Sequence, residues 1–154
     1  MHGGPRLTPR SARTAAALGA AAVVLSGCSS AVEVSVPGGA GAPACRAAAW
    51  PATVSGQERR DTSPASPAVA AWGDPALVAR CGVAAIGPTD VECVDVDGQG
   101  WIPTPLSDGT RLVSFGTDPA VEVLVPSSYG PAPLLLPAFT EVAASLPRNG
   151  LVCR

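Results

Sequence analysis

The sequence of 154 residues contains no lysine, and its only histidine is His2. Arginine supplies all ten basic residues, against twelve acids, and aromatic residues make up only 4% of the chain. No stretch carries a dense basic patch with interleaved aromatics, so nucleic acid is excluded as a partner. The apolar run at residues 15–25 is 11 residues long, too short for a permanent membrane-spanning helix.

That short run lies within a leader typical of exported lipoproteins. Three arginines precede it, namely Arg6, Arg10 and Arg13, and the run ends in Leu25-Ser26-Gly27-Cys28. The small residues fit the site of lipoprotein signal peptidase, and the thiol of the cysteine accepts a diacylglycerol group. Residues 1–27 are therefore predicted to be a signal peptide, with lipidation at Cys28. An ordinary secretory leader cleaved elsewhere is the alternative.

Cleavage before Cys28 has two chemical consequences. It leaves 127 residues with seven arginines against twelve acids, and it removes His2. Without a histidine, the mature chain has no Ser-His or Cys-His nucleophilic pair and no histidine ligand for zinc. We therefore predict no catalytic residues, no metal site and no cofactor, and we expect that the protein is not an enzyme. The two acyl chains of a diacylglycerol anchor would hold it stably on the membrane.

The remaining chain divides by composition into a tether and a domain. Residues 28–44 are small, rich in Gly and Pro and nearly uncharged, which indicates a lipidated flexible tether. An edge strand at residues 32–36 is the alternative, because valines alternate there. Residues 45–154 are predicted to form a single domain.

The pattern of apolar residues in the domain predicts an α+β fold. We expect a small antiparallel sheet with two flanking helices, stapled by disulfides. The predicted helices cover residues 44–50 and 134–146, and the predicted strands cover residues 70–72, 77–83, 92–96, 101–102, 111–116 and 120–125. The second face of the sheet is predicted to be solvated because it carries four acids, which are Glu92, Asp95, Asp97 and Glu122.

One polar pair lies in the stretch that organises the domain, residues 70–83. Alternation along the second predicted strand places Arg80 on the face opposite that of Leu77, and an arginine there needs a carboxylate or a carbonyl partner. Asp74, in the preceding Gly-Asp-Pro turn, is the nearest carboxylate. The sequence therefore predicts a structural ion pair between Asp74 and Arg80.

Four cysteines remain once Cys28 is lipidated. An even number in a small exported domain indicates two disulfides. Of the three possible connectivities, Cys81–Cys93 with Cys45–Cys153 is favoured, because the first closes a short loop and the second joins the ends of the domain. Zinc binding is the weaker alternative, since no C-x-x-C pair exists.

Other chemistry is suggested by single features and is less favoured. Asp95-Val96-Asp97-Gly98 resembles part of a calcium loop but lacks the third acid and the distal Glu. Paired carboxylates could hydrolyse glycosides, and the tryptophans could stack on sugars. A solvated strand edge and buried core tryptophans are the simpler interpretations.

Several motifs together resemble one known family. They are Trp72-Gly73-Asp74-Pro75, Arg80-Cys81-Gly82-Val83, the strand before Trp101, and residues 121–126. The chain is similar in these motifs to an uncharacterised family of exported lipoproteins from high-GC Gram-positive bacteria, known as domain of unknown function 3515. The resemblance implies no activity and no catalytic residue.

We thus expect a lipid-anchored protein on the extracytoplasmic face of the cell membrane. Its predicted role is that of a non-catalytic binding or structural module of the cell envelope, with an envelope protein or the cell wall as possible partner. The alternative is a small-ligand carrier that feeds a transporter, although one small domain is less suited to enclosing a ligand.

Overall fold

The computed structural model describes residues 1–4 and 30–154. The fold is mostly β, and its centre is one eight-stranded sheet. The strands of the described residues are β1 (Val32–Glu33), β2 (Thr53–Val54), β3 (Gln57–Arg60), β4 (Thr62–Ser63), β5 (Val69–Trp72), β6 (Leu77–Val83), β7 (Val94–Val96), β8 (Gln99–Pro105), β9 (Gly109–Phe115) and β10 (Ala120–Pro126).

The order in the large sheet is β2-β3-β5-β6-β10-β9-β8-β7, and all its pairings are antiparallel. Short turns connect most neighbours, but β10 enters between β6 and β9. The long strands β6, β10, β9 and β8 therefore form the middle of the sheet. A separate parallel pair joins β1 to β4.

The predicted α+β class is wrong, because the helical part of the described chain is small. Helix α1 (Pro43–Arg46) is a single turn, where a helix over residues 44–50 was predicted. Near the C-terminus, a 3₁₀ helix (Ala132–Phe139) leads into α2 (Thr140–Ala144). Pro137 lies inside the 3₁₀ segment, and its missing N–H is one reason that a continuous α-helix does not form there. None of the described helices is long and apolar enough to cross a bilayer.

The main core lies on one face of the sheet. Inward side chains of the sheet, such as Trp72 on β5, Leu112 on β9 and Val123 on β10, pack there against Leu136 and Phe139 of the C-terminal helical segment. The rings of Trp72 and Phe139 meet edge to face, with centroids 5.5 Å apart. The two predicted strands of the organising stretch are confirmed as β5 and β6.

The opposite face of the sheet has a smaller apolar cluster. Residues 30–42, here called the N-terminal segment, cover this cluster. Val69, Ala71 and Val78 are buried there, and Val32 and Val34 pack against them. The N–H of Val32 donates to the Asp61 carbonyl at 2.8 Å. Residues 30–42, which the sequence assigns to a flexible tether, therefore lie along the domain in the structure, and the alternative strand is present at Val32–Glu33.

The expectation of two disulfides is confirmed, but the predicted connectivity is wrong. The bonds are Cys45–Cys81 and Cys93–Cys153, with Cα separations of 5.2 and 5.5 Å. Cys81 lies on β6 and Cys93 just precedes β7, and these strands are four positions apart in the sheet. At roughly 4.8 Å per strand the separation is on the order of 19 Å, far beyond the reach of a disulfide.

Candidate functional site

A buried carboxylate is the centre of the most distinctive polar cluster in the described chain. Glu122, on β10, is only 2% exposed. The Nε of Arg80, on β6, donates to its Oε2 at 2.7 Å, and Nη2 of Arg80 contacts the same oxygen. Arg111, on β9, donates from its Nε to the other oxygen, Oε1. Glu122 is thus held between guanidinium groups from both neighbouring strands.

The strand register explains this arrangement. Glu122 is directly opposite Arg80, and Arg111 is opposite Leu124, one diagonal step away on the same face. Taking a carboxylate out of water is costly unless it is paired and hydrogen-bonded. The side chains of Arg80 and Arg111 are 20% and 37% exposed, so each guanidinium keeps some water contact while neutralising Glu122.

The predicted pair of Asp74 and Arg80 is therefore wrong. The Asp74 side chain is 92% exposed, and its Oδ1 lies 4.0 Å from Nη1 of Arg60. Arg80 does have a carboxylate partner, as its position on the strand required, but the partner is Glu122. The assignment of Glu122 to a solvated face is also wrong, because the N-terminal segment covers part of that face and Glu122 is only 2% exposed.

Arg80 also binds this covering segment. Its Nη1 donates to the carbonyl oxygen of Ser35 at 3.2 Å and contacts the Ser35 hydroxyl. Further along, the N–H of Gly39 donates to the Gly82 carbonyl at 3.0 Å. A Cβ on Gly82 would lie 2.3 Å from the backbone nitrogen of Ala40, and its φ of +104° also favours glycine. The charged cluster and the close backbone crossing together fix the N-terminal segment to β6.

A second polar cluster, here called the corner, consists of hydrogen-bonded side chains around the turn at residues 73–76. The guanidinium of Arg60 donates to the carbonyls of Gly73, at 2.9 Å, and of Ser30, at 2.7 Å. The hydroxyl of Tyr129 donates to the Pro75 carbonyl at 2.8 Å. Partial burial, followed by the nearby carboxylate of Asp74, raises the pKa of Tyr129, while Arg60 acts in the opposite direction. The corner therefore joins the start of the N-terminal segment to a turn of the sheet.

The disulfide Cys93–Cys153 forms part of a cleft of about 660 Å³. Its floor is made by Ile102 and Phe115, and its walls are residues 88–93 and 150–154. The walls carry the exposed apolar side chains of Val91 and Val152. The charged members of the lining are Asp90, Glu92 and Arg154. This size and mixed lining suit a small molecule or a short peptide.

The residues of the suggested calcium loop and the tryptophans have structural roles in the fold. Asp95 Oδ1 accepts from the N–H of Gly98 at 3.0 Å, so this carboxylate caps the β7–β8 turn. Trp72 and Trp101 are fully buried in the core, and Trp50 packs edge to face on Trp72. Among residues 1–4 and 30–154, no three acidic, cysteine or histidine side chains converge on a metal position. The predicted lipidation site, Cys28, lies outside the described residues.

Sequence reasoning missed Glu122 as the partner of Arg80, and Arg111 as the second arginine that binds Glu122. A signal for the pair is present: β6 and β10 are apolar strands that each carry one charge, of opposite sign. Opposite charges isolated in two apolar strands are best satisfied when the strands are neighbours. That β10 inserts beside β6 rather than at the edge is a long-range feature that no local pattern encodes.

The fold and the cluster define a small, disulfide-linked antiparallel β domain with a paired charge network on one face. A family model described as "Protein of unknown function (DUF3515)" matches residues 12–149, which is most of the chain. The chain therefore belongs to this family, as the resemblance of its motifs predicted. Searches of curated proteins and of solved structures found no match.

Proposed function

We propose that this protein is a lipoprotein anchored through Cys28 to the extracytoplasmic face of the cell membrane. In this proposal it acts as a non-catalytic binding or structural module of the cell envelope. The observation that carries the proposal is the combination of the Leu25-Ser26-Gly27-Cys28 box with two disulfides in the domain behind it. Disulfides persist in oxidising compartments, which agrees with export.

The cleft beside Cys93–Cys153 is the candidate binding site of the module. The disulfide links residues 60 positions apart and so fixes one wall to the other. A preformed site loses little conformational entropy on binding, which favours recognition over a site that must first be ordered. Val91 and Val152 supply exposed apolar contacts for a ligand.

The proposal is tested by intact-mass analysis of the protein extracted from the membranes of a Gram-positive host. The mature chain should begin at Cys28 and carry a diacylglycerol adduct. Cys28→Ser should abolish the adduct and leave either unprocessed or released protein. Ser26→Ala, which keeps a small residue before the cysteine, is the matched control and should be processed normally. An unmodified N-terminus downstream of Cys28 would contradict the proposal.

The second candidate function is a small-ligand carrier that feeds a transporter, and the volume of the cleft is the observation that favours it. Native mass spectrometry of the extracted protein separates the two candidates. A bound molecule of defined mass that is lost in Val152→Asp would support the carrier. Protein without such a mass would support the module.

A further inference from the structure

We propose that one end of the eight-stranded sheet rests directly on the lipid surface when the protein is anchored. This end, here called the Gly73 end, comprises the turns at residues 55–56, 73–76, 106–108 and Ser127–Tyr129. The inference rests on the proposed function, because it requires lipidation at Cys28. Its partner is the headgroup layer of the membrane that holds the anchor.

The chain between the anchor and the fold is very short. The backbone of Ser30 is already held by the domain, because its carbonyl accepts a hydrogen bond from Arg60 at 2.7 Å. Only Ser29 separates Ser30 from Cys28. Two Cα–Cα steps span at most about 7.6 Å. A lipidated Cys28 therefore cannot hold the domain away from the membrane, as the flexible tether predicted for residues 28–44 would.

Ser30 lies at one end of the sheet. The same guanidinium that binds Ser30 also binds the Gly73 carbonyl, so the chain enters the domain beside the turn at residues 73–76. From there it runs towards the opposite end of the sheet. The N–H of Val34 donates to the Ser63 carbonyl at 2.9 Å, and Gly39 reaches Gly82 near the end of β6. The anchor thus emerges at the Gly73 end.

Several turns of the sheet share this end. The strands β3, β5, β6, β10, β9 and β8 are successive antiparallel neighbours, so alternate turns meet at one end of the sheet. Two hydrogen bonds join these turns, from Tyr129 to Pro75 and from the N–H of Ser127 to the Asp108 carbonyl at 2.9 Å. The Gly73 end is therefore a connected surface that would approach the membrane as a unit.

The exposed side chains at this end are both apolar and acidic. Leu106, in the β8–β9 turn, is 44% exposed. An exposed leucine gains free energy by contact with the apolar part of the interface. Asp74 and Asp108 are exposed at the same end and oppose deeper insertion, because a carboxylate is costly to dehydrate. The structure thus favours contact at headgroup depth.

The test uses full-length lipidated protein, purified from membranes and reconstituted in vesicles of phosphatidylcholine and phosphatidylglycerol. A photoreactive benzoylphenylalanine replaces Leu106 in one variant. In the matched control it replaces Asp97, an exposed residue in the turn at the opposite end of the sheet. After illumination, mass spectrometry should find lipid adducts several-fold more often at position 106 than at position 97. Equal thermal melting of the two variants shows that both are folded.

A second variant tests the role of the short connection. A Gly/Ser insertion of about 12 residues between Ser29 and Ser30 should add roughly 19 Å of reach. Lipidation should be unchanged, while lipid adducts at position 106 should fall towards the level at position 97. Equal adducts at both positions in the uninserted, lipidated protein would overturn the inference and leave the proposed function intact. Absence of the lipid and of vesicle binding would overturn both.

Discussion

The replacement of Glu122 by glutamine is the sharpest test of the charged cluster. Glu122→Gln keeps the volume of the side chain but removes the negative charge between Arg80 and Arg111. The two guanidinium groups are then left facing each other across a neutral amide. Breaking a buried charge pair by neutralising one partner costs about 3–5 kcal/mol. Both arginines retain some exposure and can be partly hydrated, so we expect a loss near 3 kcal/mol.

This loss should be visible as a large shift in thermal stability. For a domain of this size, 1 kcal/mol corresponds to about 4 °C in Tm, so Glu122→Gln should lower Tm by roughly 12 °C. Urea unfolding followed by tryptophan fluorescence, with the disulfides intact, gives the free energy of unfolding. Asp74→Asn is the matched control, since that carboxylate is 92% exposed, and it should change stability by under about 0.5 kcal/mol.

The arginines provide a second comparison within the cluster. Arg80→Ala should destabilise more than Arg111→Ala, because Arg80 is less exposed and also binds Ser35. Arg80→Lys should restore only part of the loss, since an ammonium cannot reproduce the planar donor pair. If Glu122→Gln and Asp74→Asn unfold at the same urea concentration, the buried pairing does not stabilise the fold.

Three further predictions concern other parts of the fold. Peptide mapping without reduction should recover the two disulfides of the structure, Cys45–Cys81 and Cys93–Cys153, and no other pairing of these cysteines. Absorbance titration of Tyr129, the only tyrosine, should give a midpoint above the usual value of 10.0. Because the pKa of Tyr129 is raised in the folded state, the stability that this tyrosine contributes is complete below its pKa in the unfolded chain. That stability is lost as the pH rises through the pKa of the folded state. Tyr129→Phe should remove this loss of stability at high pH. Gly82→Ala should destabilise the domain by more than 1 kcal/mol, because the new Cβ would collide with the backbone of residues 39–40, whereas Gly87→Ala, at an open position, should not.

Much of the sheet could be predicted from local patterns. The strands at residues 77–83 and 120–126 have continuous or alternating apolar residues. The turn signal at Gly73-Asp74-Pro75 correctly marks the start of the first of them, and Ser107-Asp108-Gly109 marks the start of β9. The helices were overestimated for a physical reason. Alanine and leucine favour helix locally, but prolines at 51, 133 and 137 limit the backbone hydrogen bonds that such helices need.

The disulfide connectivity and the partner of Arg80 could not be read from the sequence because both depend on strand order. Cys81 and Cys93 are 12 residues apart in the chain, yet the insertion of β10, β9 and β8 separates their strands. The same insertion brings Glu122 beside Arg80 from 42 positions away. Residues close in the sequence are therefore far apart in the sheet in the first case, and residues far apart in the sequence are adjacent in the second.

The N-terminal segment connects these observations to the proposed anchoring. Without it, Val69, Ala71 and Val78 would form an apolar patch on the outer face of the sheet. Val32 and Val34 cover that patch, and Ser35 completes the hydrogen bonds of Arg80. A segment with these contacts cannot also serve as a spacer unless it leaves the sheet and exposes them again. Lipidation at Cys28 would therefore attach the membrane to the body of the domain. Any force on the anchor would act first on the contact of Arg60 with Ser30, then on the backbone hydrogen bonds of Val32 and Val34, and only then on the contact of Arg80 with Ser35.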